Sequence, residues 1–208
     1  MPWVSRFTRY GDMHWVFGQE QNISCGVACV IMAAYKVNKL TPGVRAEFTE
    51  ADVLARATTL FGPNPLGTGG LNNPQMAQLL NDPMFNMAGW TLSTLPQTAV
   101  PGRITNVVGV TSGFGPTLNV NPIILGIDWN GGGGHWVLVD TIRVSPWDDQ
   151  RYASVCDPWD ANVHLTPLTA NQTFAYTGHR VWGITTERTY DYQAPSTGGV
   201  FVGDVINR

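Results

Sequence analysis

The 208-residue chain holds only three cysteines, Cys25, Cys29 and Cys156, a small and odd number. That argues against a disulfide framework and predicts a reduced working state. No histidine stands at finger-like spacing from the close pair Cys25 and Cys29, so neither a metal nor another cofactor is expected. Lysine is scarcer still: Lys36 and Lys39 stand against ten arginines, and no basic cluster forms. With twelve basic and fifteen acidic residues the net charge is −3, and nucleic acid is not the expected partner. No apolar run approaches the roughly twenty residues that cross a bilayer, so membrane insertion is not expected either. The opening "MPWVSRFTRYGDMHW" lacks the basic-then-apolar pattern of a Sec signal. The expectation is a cytoplasmic protein, or one delivered by a signal-independent secretion route. There is no internal repeat.

What is present describes one globular domain, 43% hydrophobic and 13% charged. From Cys25 to Tyr35 nearly every residue is apolar, and the alanines and the length favour a helix that is buried all round. Ser24 stands where an N-cap would, which puts Cys25 and Gly26 in the first turn. Thr49 with Asp52 predicts the start of a second helix, and Asn73 with Pro74 the start of a third; both read as surface helices. Beyond about residue 89 the segments "WTLSTL", "ITNVVGV", "PIILGID", "HWVLVDTIRV", "RYASVC", "NVHLTPL" and "RVWGITTER" read as strands separated by Gly, Pro and Asn. Helices first and strands second predict an α+β fold with an antiparallel sheet. The domain is expected over 1–190, helical over about 17–88 and β over about 89–190, with 191–208 as a loosely held Gly-rich tail.

A thiol at a helix N-terminus is well placed for chemistry, because free N–H groups, the positive dipole end and a nearby imidazolium all stabilise the thiolate. Cys25 has the first part of that environment, beside a glycine that would let a substrate backbone approach. Cys29, one turn deeper, reads as a small buried hydrophobe. A nucleophilic cysteine needs a base, and among His14, His135, His164 and His179 the outstanding candidate is His135, which follows four glycines and opens a strand. The other three read as surface or satisfied core histidines. If "HWVLVDTIRV" and "RYASVC" pair about a turn centred near Pro146, His135 falls opposite Asp157, whose carboxylate would fix the imidazole's orientation. Strand alternation points the competing Asp140 to the other face. An oxyanion would be met by the Cys25 N–H and by a side-chain amide from Gln19 or Gln21.

Together, "GQEQNISCGVAC", "HWVLVD" and "VCDPWD" resemble the papain-like cysteine peptidases, in the bacterial branch that includes double-glycine leader peptidases and plant-pathogen effector proteases. The resemblance implies a papain-like fold, with the Cys-bearing central helix packed on an antiparallel sheet. It also implies a peptide or protein substrate and hydrolysis by a Cys25, His135, Asp157 triad. Gln19, six residues before Cys25, matches the glutamine that supplies the oxyanion hole in that branch. Residue chemistry alone reaches only Cys-His-Asp acyl transfer, which amidases, acyltransferases and transglutaminases share, and a silent peptide-binding domain would keep the same fold.

Overall fold

The computed structural model describes residues 3–112, 121–129, 133–171, 175–177 and 198–208. A segment with almost no polar side chain is stable only where every face is covered, and Cys25–Asn38 forms such a helix, α1, buried continuously from Cys25 to Ala34. It packs beside α2 (Glu50–Phe61) and α3 (Asn73–Leu80), which turn Val53 and Ala57, and Met76, Leu79 and Leu80, toward the same core. Thr49 and Asp52 close a reciprocal capping box at α2, as expected. At α3 the cap is Asn72, bonded reciprocally to Gln75, one residue earlier than expected.

Behind α1 stands an antiparallel sheet. Strands β3 (Thr91–Thr94), β4 (Ile123–Trp129), β5 (Gly134–Val144), β6 (Arg151–Asp157), β7 (Asn162–Pro167) and β9 (Gly198–Asn207) run in the order β3-β9-β4-β5-β6-β7, and β8 (Ala175–Thr177) pairs with β9. The architecture is therefore mixed α+β. Alternation along the strands sends Ile124, Leu138, Cys156, Val163 and Ile206 to the α1 side. Their neighbours Ile123, Leu125, Val137, Val139 and Val155 face a second core under α4 (Val100–Val108). No helix among the described residues is long and apolar enough to cross a membrane.

Three segments depart from the sequence expectations. "ITNVVGV" lies mostly in α4 rather than in a strand, because Val100, Ile104 and Val108 recur every four residues and bury one helical stripe. The expected loose tail is, over residues 198–207, an inner strand of the sheet bonded to both β3 and β4; its Phe201, Val205 and Ile206 are buried despite the surrounding glycines. An unexpected N-terminal hairpin, β1 (Trp3–Phe7) with β2 (Met13–Phe17), precedes α1. The "RVWGITTER" strand falls outside the described residues.

The hairpin and α1 clamp the far end of the sheet through buried charge. Asp12 takes both forks of Arg143 at 2.7 and 2.5 Å, while Asp140 Oδ2 lies 3.1 Å from His14 Nδ1 and pairs with Lys36 of α1. Burial opposes the Asp140 charge, but His14 and Lys36 outweigh it and hold the carboxyl well below its ordinary value. A depressed carboxyl contributes stability above the unfolded-state pKa and loses it as pH falls through the folded-state value. Asp140→Asn is therefore expected to cost about 3–5 kcal/mol near neutral pH by stranding Lys36. Thermal melting would show a drop on the order of 10 °C, narrowing as the pH is taken below about 4.

Candidate active site

Cys25 opens α1 and is 7% exposed. The first turn has no side-chain cap, because the Ser24 hydroxyl is used elsewhere: it accepts from Gln21 N and meets the Glu50 carboxylate at 2.7 Å. The N–H groups of the Cys25 turn thus lack a side-chain acceptor, which suits the helix end to an anion. Packing gives Gly26 a reason of its own to be glycine, since a Cβ there would meet Met76 Sδ at 2.8 Å and Leu71 Cβ at 3.3 Å.

His135 lies second in β5, paired across the sheet with Ile127. Its Nε2 lies 2.8 Å from Asp157 Oδ1, and its ring hydrogen-bonds with the Cys25 thiol. With Nε2 committed to Asp157, Nδ1 is the nitrogen left for the thiol. Burial opposes a charge on this ring, yet the Asp157 charge and hydrogen bond, with the contact to Cys25, outweigh it and raise His135 to about 10. Asp157, fully buried, also accepts from Trp159 N at 2.8 Å, which fixes the carboxylate plane.

The route to this contact differs from the mirror pairing read from the sequence. Leu138 pairs with Cys156, and continuing that register sets Asp157 opposite Val137, so His135 reaches it diagonally. The register shifts between Val139 and Thr141, leaving Asp140 as the extra residue of a bulge. Asp140 does not serve His135; it is held by His14 and Lys36. Among the remaining histidines, His14 and His164 are buried and paired with Asp140 and Asp160, while His179 lies outside the described residues. Burial pushes the thiols of both Cys29 and Cys156 upward, as suits packing residues.

Gln19 is tied to its own loop. Its amide donates to Gln21 O at 2.7 Å, its backbone N–H bonds Pro158 O at 2.8 Å, and it does not line the cleft that holds Cys25 and His135. The same loop is pinned by Glu50, whose carboxylate accepts from Glu20 N and Ser24 Oγ, both at 2.7 Å. Burial pushes the Glu50 carboxyl up against those hydrogen bonds. Nothing local in the sequence marked Glu50 beyond its place at the start of a capped helix.

The cleft itself has a volume of about 290 Å³. Cys25 and His135 share it with Leu71 and Trp136, whose indole donates to Leu71 O at 3.1 Å and so braces the wall. Comparison with protein-family models gives no match, and comparison with curated proteins gives none at the level required. Among the described residues, two further groups could gather around a cation: His14 with Asp140 and Cys156, and Asp157 with Asp160 and His164. In the first, Lys36 already supplies the positive charge to Asp140.

Proposed function

We propose that the chain is a papain-like thiol peptidase in which Cys25 is the nucleophile, His135 the acid and base, and Asp157 the group that orients the imidazole. The observation that carries this reading is His135 standing between the Cys25 thiol and the Asp157 carboxylate at the wall of a cleft. A histidine held cationic beside a thiol at a helix N-terminus is the counterion a thiolate needs. The sulfur attacks the substrate carbonyl carbon, and the C–N bond then breaks as His135 gives its proton to the leaving amine. Water attacks the resulting thioester, His135 takes up its proton, and the acid departs as the thiolate is restored. The direct test is cleavage-site mapping on a proteome-derived peptide library by mass spectrometry. New termini are expected with native protein and not after alkylation by iodoacetamide; transfer onto an added amine with no free acid would instead make the chain an acyltransferase.

In this mechanism the oxyanion is met by the Cys25 N–H, and the Gln19 amide joins it by swinging from its bond to Gln21 O into the cleft, which it does not line in this structure. Gln19→Ala is expected to lower kcat about a hundredfold with little change in KM, while alkylation of Cys25 stays fast. Gln21→Ala should be mild, because it is the main-chain carbonyl of Gln21 that holds Gln19 and Ser24. A larger kcat loss in Gln21→Ala would transfer the role.

A further inference from the structure

One part of the cleft wall is shaped by an irregularity in β9. Leu125 pairs with Val205 and Ile127 with Phe201, so residues 202 to 204 of β9 all lie across from the single Gly126. The excess bulges the strand, and a bulge beside a site re-aims side chains. Here Val202 and Asp204 line the cleft, and Gly203 between them sits at φ +100°, where a Cβ would overlap the Leu95 carbonyl oxygen. Leu95 N in turn donates to Gly203 O at 2.9 Å, so the bulge is fastened from outside the cleft. Asp204 is held by Thr94 Oγ1, which donates to its Oδ1 at 2.9 Å.

A second acidic residue reaches the same cleft from the neighbouring strand. Asp128 pairs with Gly134, the residue before His135, and is exposed. The described lining holds no lysine or arginine, and neither aspartate forms an ion pair among the described residues. The His135 charge is matched by Asp157, so the surplus charge of the described lining is that of the two aspartates, and such a surplus focuses its field on an incoming ligand of the other sign.

We infer that the cleft selects peptides with an arginine or lysine within two residues of the cleaved bond, and that Asp204 and Asp128 read that charge. This rests on the thiol-peptidase reading and adds a substrate class to it. Gly126 lies across from this charge reader, and a Cβ there would crowd Asp204 Cβ at 3.1 Å and Trp136 Cζ3 at 3.4 Å, so glycine leaves Asp204 its place in the cleft wall.

The experiment is a set of internally quenched peptides in which each of four positions flanking the bond carries arginine or its neutral isostere citrulline. At one of these positions kcat/KM is expected to favour arginine about tenfold at low salt, a preference that shrinks as salt screens the charges. In Asp204→Asn/Asp128→Asn the arginine-to-citrulline ratio should fall toward one. Equal hydrolysis of both peptides at every position by the wild-type protein would overturn the charge preference and leave the peptidase reading standing. A tenfold ratio surviving in the double variant would overturn the assignment to these aspartates. Failure to hydrolyse any member of the set, with Cys25 still alkylated quickly, would overturn the peptidase reading beneath it.

Discussion

Cys25→Ala is expected to abolish peptide turnover, by about a thousandfold or more, while the melting temperature stays close to that of the native protein. The first half follows from chemistry, since no other described thiol can take over. Cys29 and Cys156 are both fully buried, and burial pushes their thiols up. The second half follows from volume: alanine in the first helical turn removes only a sulfur from a position at the cleft wall. Cys29→Ala is the matched control, with an expected cost of about 1–2 kcal/mol from the small void and activity retained. Hydrolysis by Cys25→Ala equal to that of the wild type, in protein free of contaminating peptidase, would remove Cys25 from the mechanism. So would rapid iodoacetamide labelling that maps to Cys29 instead.

Much of this geometry was legible in the sequence where local chemistry and tertiary demand agree. The run from Cys25 to Tyr35 has no polar face to offer solvent, so it had to be a buried helix, and Thr49 with Asp52 is a pattern few contexts other than a helix start satisfy. Legibility failed where tertiary contacts overrode composition. Val107 and Val108 suggested a strand, yet the four-residue spacing of Val100, Ile104 and Val108 decided for a helix because the sheet offers that stripe a face to cover. The glycines around β9 suggested a tail, although Gly203 is there to permit a bulge inside the sheet and Asp204 follows it into the cleft. The mirror pairing set His135 opposite Asp157, and the two side chains do meet, though through another register. A side chain can reach diagonally, and the bulge at Asp140 changed the local count. Gln19 shows the opposite limit, since its spacing from Cys25 says nothing of the carbonyl that its amide finds two residues away.

His135 joins the two halves of the site, and its substitution should come closest to that of Cys25. On the proposed mechanism His135→Ala is expected to lower turnover about a thousandfold or more, with slowed alkylation of Cys25, because that mechanism makes the ring both counterion and proton donor. Asp157→Asn separates orientation from proton transfer. In the native protein the ring is raised from 6.5 to about 10, burial opposing and the Asp157 charge leading the causes that raise it. A raised histidine contributes stability fully below pH 6.5 and loses it as pH climbs through about 10, so the charged ring and its bond to Asp157 persist through neutral pH. The alkaline limb of kcat/KM is accordingly expected near pH 10 in the wild type. In Asp157→Asn it should move down toward the ordinary histidine range, because the amide keeps a hydrogen-bonding group but loses the charge. Activity at pH 6 should survive in that variant better than in His135→Ala. The decisive comparison is with Asp140→Asn, assayed below its melting temperature: Asp140 serves Lys36 and His14 at the far end of α1, so its limb should coincide with the wild type. A limb that moves in Asp140→Asn and stays fixed in Asp157→Asn would assign the orienting carboxylate to Asp140.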